Sequence, residues 1–173
     1  MRNNLTKFLF IAVFFTILNT FPVYASNTFY WNGMEIQEYG DESIILPENA
    51  TNSTGQARGE VISTGLIDIS NEGKGKVGLT IETLAHVRCD RICNTLILQR
   101  WDESSEEWNE VSSFDFEALQ ENQPDKDLIY LINGVDIENL KSGVYRARGL
   151  HAVYLGGVYE SFSSKTNGIQ VTN

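Results

Sequence analysis

Histidine, cysteine, proline and methionine are scarce in this 173-residue chain, with two His, two Cys, three Pro and two Met. With only His86 and His151, a histidine-based metal centre or acid–base relay would need both to converge. No G-x-S-x-G, H-E-x-x-H or glycine-rich phosphate loop is present, so the chemistries those motifs carry are not expected. Basic residues are few as well, at 13 Lys+Arg against 23 Asp+Glu. So acidic a balance argues against nucleic acid, or an anionic membrane surface, as a partner bound through overall charge. Long helical periodicity and internal repeats are also absent, which turns attention to β structure.

What is present begins with an export signal. Arg2 and Lys7 precede an apolar core at 8–18, and Phe21-Pro22-Val23-Tyr24-Ala25 ends in small residues at −3 and −1. That core is shorter than the roughly 20 residues of a membrane span. The expectation is a signal peptide at 1–25 and a secreted, extracellular chain with no membrane attachment after cleavage. Removing 1–25 leaves 11 Lys+Arg against 23 Asp+Glu. The remaining 148 residues suit one domain with a full core.

Residues 26–57 read as a lead segment and linker. Phe29-Tyr30-Trp31 is an aromatic cluster, and 47–56 is a polar, small-residue tract that reads as a loop. Asn49 and Asn52 sit in glycosylation-type sequons. From 58 to 173 the pattern is β. Val77, Leu79, Ile81, Thr83 and Ala85 alternate on one face, and further strands are predicted at 61–70, 93–101, 108–116, 128–137, 143–154 and 158–169. A turn is predicted at 71–75, a polar hairpin loop at 102–107 and one helical turn at 117–122. The fold class is therefore all-β: a single antiparallel β-sandwich of about seven strands. Leu140 precedes Tyr145 by five residues across a turn into a strand. This resembles the tyrosine corner of sandwiches of the immunoglobulin and fibronectin type III kind.

Cys89 and Cys93 form an exported pair, so a local disulfide is a candidate. In an extended strand they would lie about 13 Å apart, whereas a disulfide needs Cα atoms within about 7 Å. The bridge therefore requires a turn at 89–93. Two buried thiols and a metal site are the alternatives, and a C-x-x-x-C pair alone supplies too few ligands for zinc. No metal or cofactor is expected.

Strand parity puts Tyr145, Ala147, Gly149, His151 and Val153 on one face, and Arg146, Arg148 and Tyr154 on the other. The candidate ligand-binding residues are Arg148, His151, Tyr154 and Trp31. Arginines and tyrosines side by side can grip a carboxylate or a sugar ring, and exposed tryptophan stacks on sugars. Each has a plainer reading: His151 as a hydrogen-bonded core residue, the arginines as cross-strand partners of Glu160, and the tryptophans as core. Trp108, with Val111 nearby on the same return strand, reads as core.

Three stretches carry a family resemblance. They are Ala57-Arg58-Gly59, the run Gly143-Val144-Tyr145-Arg146-Ala147-Arg148-Gly149-Leu150-His151, and Glu160-Ser161 through Thr166-Asn167-Gly168-Ile169. With the hairpin from Leu98-Gln99-Arg100 to Trp108, they resemble a family of small uncharacterised secreted proteins of clostridial and related Gram-positive bacteria, a domain of unknown function. The resemblance covers about 57–171. It implies export and a compact β-domain, and it assigns no catalytic residue.

The function these features point to is a non-enzymatic binding module at or near the cell envelope, with a cell-wall glycan or a surface protein as ligand. Two alternatives stay open. One is a secreted glycan hydrolase using paired carboxylates. The other is a self-associating structural protein of a surface, matrix or spore layer.

Overall fold

The computed structural model describes strands at Thr28–Trp31 (β1), Met34–Gln37 (β2), Ile45–Leu46 (β3) and Thr51–Ala57 (β4), and then every residue from 59 to 173. The expected signal peptide at 1–25 lies outside the described residues. The eight later strands are Ile62–Gly73 (β5), Lys76–Ala85 (β6), Arg91–Asp102 (β7), Glu107–Leu119 (β8), Tyr130–Ile137 (β9), Gly143–Leu155 (β10), Val158–Lys165 (β11) and Gly168–Val171 (β12).

The architecture is an all-β sandwich. One sheet, the shorter, has the order β4-β5-β6-β9. The longer has the order β3-β12-β10-β7-β8, with β11 also on β10. Every pairing is antiparallel except β12 with β3, which is parallel. β1 and β2 form a separate hairpin. The alternation at 77–85 is realised as expected: Val77, Leu79, Ile81 and Thr83 face inward and are buried.

Three local readings change. The tract 47–56 reads as a loop, yet Thr51–Ala57 pairs along its length with β5. Thr and Ser suit an edge strand, and the paired β5 residues satisfy its backbone. The single strand expected at 158–169 is two strands. Between them Thr166 donates its N–H to the Ala147 carbonyl, and its hydroxyl accepts the Ala147 N–H at 2.9 Å, so a side chain replaces one rung of the ladder. The helical turn expected at 117–122 is the end of β8 followed by a 3-10 turn at Gln120–Asn122.

The tyrosine corner is present. The Tyr145 hydroxyl donates to the Lys141 carbonyl at 2.8 Å, with Tyr145 and Leu140 both buried. It fixes the crossover from the short sheet to the long one.

The core has two apolar clusters. Ile67, Ile69, Leu79 and Ile81 meet Leu96, Leu98, Tyr145 and Ile169 at one end. Val61, Ile62, Cys89, Ile92, Val153 and Phe162 fill the other. A polar layer crosses between the sheets at mid-height. Thr83 donates to Asn94 Oδ1 at 2.5 Å and lies 2.8 Å from His151 Nδ1, while His151 Nε2 lies 2.7 Å from the Ser164 hydroxyl. Asn94 Nδ2 donates to Asn133 Oδ1 at 3.0 Å and to the Leu131 carbonyl. Because the Thr83 proton goes to Asn94, the His151 Nδ1–H donates to Thr83 and Nε2 accepts from Ser164.

Candidate functional site

The predicted site residues do not converge. His151 is completely buried and stacks on Phe162 with ring centroids 4.6 Å apart. Burial pushes its pKa down to about 3, only partly opposed by a hydrogen bond with the Glu82 backbone. It is a neutral residue of the inter-sheet layer with no access to a ligand, a correction to its candidacy as a binding residue. Its pairing with Ser164 has the form of a base and nucleophile. Ser164 is buried too, and a Cβ at Gly65 would strike the His151 and Phe162 rings, so no substrate reaches the pair.

Parity holds for the arginines, which lie on the outer face of the long sheet. Arg146 is buried there. Its Nε donates to Gln99 Oε1 at 2.8 Å and its guanidinium lies 4.4 Å from the Trp108 ring centroid. Trp108 therefore covers the outer face rather than the core. A bulge between Leu98 and Gln99 resets the parity of β8 relative to β7. Arg148 is half-buried, and burial lowers its pKa to about 10. Glu160 does not pair with either arginine. Opposite Val153, its carboxylate accepts the N–H groups of Glu60, Val61 and Ile62 at 2.9–3.0 Å, which pins β11 to the start of β5.

The cysteines are two buried free thiols, which corrects the disulfide candidate. Cys89 belongs to the loop that precedes β7 and is buried in the core. Cys93 is on the outer face of β7, opposite Ala152 and Glu117. Residues 91–93 are strand rather than the turn a bridge would need. Burial raises both thiol pKa values. Of Trp31 the structure describes the backbone alone, in β1 opposite Met34.

Tyr154 does border a cleft. About 600 Å³ of open space is lined by Arg88, Asp90, Arg91, Gln120, Pro124 and Tyr154, together with Leu119 and Glu121. Strand register creates its main feature, because Arg91 is directly opposite Tyr154 and its guanidinium lies 4.9 Å from the ring centroid. Tyr159 packs on the same ring, and burial raises the Tyr154 phenol. Arg91 is held in place by an ion pair with Glu117 and by donating to Cys93 Sγ at 3.1 Å.

The walls are pre-organised. Asp90 accepts the Gly156 N–H at 2.7 Å, and Gly156 and Gly157 both have positive φ in the tight turn between β10 and β11. Buried Gln120 donates to the Gln123 and Lys126 carbonyls and accepts the Leu128 N–H, and so shapes the loop at 120–128. Sequence reasoning missed Arg88, Asp90, Arg91 and Gln120. Only the register of β7 against β10, which brings Arg91 to Tyr154, could have signalled them.

Several carboxylates that a hydrolase would require are engaged elsewhere. Asp115 accepts from Thr95, Glu117 pairs with Arg91, Asp102 accepts from Ser104, and Glu160 binds backbone. Among the described residues no group of three His, Cys, Asp or Glu could hold a metal ion, and no helix is long and apolar enough to cross a membrane. No protein-family model matches the chain, and no curated protein matches it.

Proposed function

We propose that the chain is an exported, non-catalytic binding module that takes a carboxylate-bearing glycan of the cell envelope in the cleft of Arg88, Arg91 and Tyr154. The observation that carries this reading is the Arg91 guanidinium set against the Tyr154 ring on a pre-organised wall, in a chain otherwise strongly acidic. A guanidinium lying over an aromatic ring is a fixed cation that suits a sugar carboxylate, and a rigid site binds with a smaller ordering cost. The test is titration of residues 26–173 with soluble peptidoglycan fragments and with a neutral oligosaccharide as control. Binding of the acidic ligand, weakened about ten-fold by Arg91→Gln and by Tyr154→Ala, is expected from the loss of one charged or stacking contact. Failure to bind, or binding by both variants as tight as by the parent, rejects the cleft as the site.

A self-association reading has one observation in its favour. Leu66, Tyr130 and Ile132 are exposed together on the outer face of the short sheet. Sedimentation over a range of concentration tests it, and a monomer throughout rejects it.

A further inference from the structure

The outer face of the long sheet is hidden in a way that its own side chains cannot achieve. Leu150 points outward from β10 and is only 2% exposed. Its lateral neighbours on that face are Thr95 and Ser163, and Ala152 follows it along the strand. These residues are too small to cover a leucine, and all of them are buried themselves. Cys93 and Ile97, on the same face of β7, are buried as well. One strand further out the cover stops: Ser113, Asp115 and Glu117 on β8 are exposed. The covering element therefore lies over β7, β10 and β11 and reaches them from the β11 side.

The chain supplies such an element. β2 lies against β11, and β3 runs along β12 at the same side of the sheet before β4 joins the opposite sheet. Residues 26–57 contain five acidic residues and no basic one, of which Glu35 lies in β2, and the covered face carries Arg146, Arg148 and Lys165. The hairpin itself is mainly apolar in sequence, with Phe29, Tyr30, Trp31, Met34 and Ile36, which suits a cover for Leu150, Ala152 and Ile97. We infer that the outer face of the long sheet is a docking surface for a β-hairpin, and that its occupant is this chain's own β1–β2 hairpin. The arginine strip that the sequence offers to an external ligand is then taken in cis, and only the cleft at Tyr154 stays open.

The two thiols report on this directly, because Cys93 lies under the hairpin and Cys89 lies between the sheets. Maleimide labelling, located by mass spectrometry, is compared between residues 26–173 and a chain starting at residue 39, which keeps β3 and β4. Cys93 is expected to react about 100-fold faster in the shorter chain, with Cys89 unchanged, as for a site uncovered without global unfolding. Equal Cys93 rates in two folded chains would overturn the inference. Should the shorter chain fail to fold, the intact chain is labelled in sub-denaturing urea. Cys93 is then expected to react through a local opening of weak urea dependence, and Cys89 only with global unfolding. Identical urea dependence of the two thiols counts against the inference. Protection of Cys93 that disappears on dilution would assign the hairpin to a second copy, and would overturn the occupant proposed.

Discussion

The two sheets of the sandwich present opposite outer faces. The long sheet hides a mixed surface, in which apolar Leu150, polar Thr95 and cationic Arg146 are all nearly inaccessible. The short sheet leaves its mixed surface open, with Leu66, Tyr130 and Ile132 each more than a third exposed beside Glu82 and Thr80. Hydropathy alone does not tell them apart, since both faces mix apolar and polar side chains. Burial here follows from chain routing: the lead segment runs along β11 and β12 and reaches the short sheet only as its edge strand β4. A face becomes interior when something is laid over it, whatever its composition.

The strongest way to break this comparison is to place the same charge on both faces. Leu150→Glu is expected to cost about 3 kcal/mol, because it removes a buried apolar side chain and desolvates a carboxylate under the cover. Ile132→Glu, on the open face, should stay within about 0.5 kcal/mol of the parent. Urea unfolding of both variants measures the difference. Equal midpoints would mean that the long sheet's outer face is accessible in solution.

A second prediction concerns the layer where the two sheets meet. His151 has its pKa lowered from 6.5 to about 3 by burial. The unfolded chain takes up this proton at the higher pH and the folded chain only at the lower. Stability from the neutral ring is therefore complete above about pH 6.5 and is lost as pH falls toward 3. The slope contributed by one such group approaches about 1.4 kcal/mol per pH unit. His151→Gln should remove that component while keeping groups able to meet Thr83 and Ser164. Chemical denaturation at pH 7, 5.5 and 4 tests it, and parallel profiles for parent and variant would reject the assignment.

How much of this was legible in the sequence depended on whether the signal was local. The alternation at 77–85 and the Leu140–Tyr145 spacing specify their own structure, so the strand and the tyrosine corner could be read directly. Tyr145→Phe tests the latter, with an expected loss of about 1 kcal/mol for one hydrogen bond. The sides taken by Glu160 and Trp108 depend on register. A two-residue turn at Gly156 and Gly157 sets Glu160 opposite inward-facing Val153, and a bulge after Leu98 turns Trp108 outward. Neither device shows in hydropathy. The Arg91–Tyr154 pair was hidden for the same reason, since the two residues lie far apart in sequence and meet only through pairing of β7 with β10. The residues that carry the family resemblance, Gly59, Gly149, Glu160 and Thr166, have structural roles. Gly59 has positive φ beside the Glu160 carboxylate, and a Cβ on Gly149 would come within 2.9 Å of Ile81.

The smallest stability effect belongs to the open face, and it separates a binding surface from an incidental one. Tyr130 and Ile132 point outward from β9, which pairs with β6 on one side and with no other strand among the described residues. An exposed edge with apolar side chains can pair with a second copy, and lysine on such an edge discourages this. The double variant Tyr130→Lys, Ile132→Lys should leave the unfolding midpoint almost unchanged, since both side chains are about half exposed already. Its effect should fall on association. If the parent sediments as a concentration-dependent oligomer and the variant as a monomer, the open face is an interface and the contrast between the sheets has a functional reading. If both are monomers, the apolar face is ordinary surface, and binding is left to the cleft at Arg91 and Tyr154.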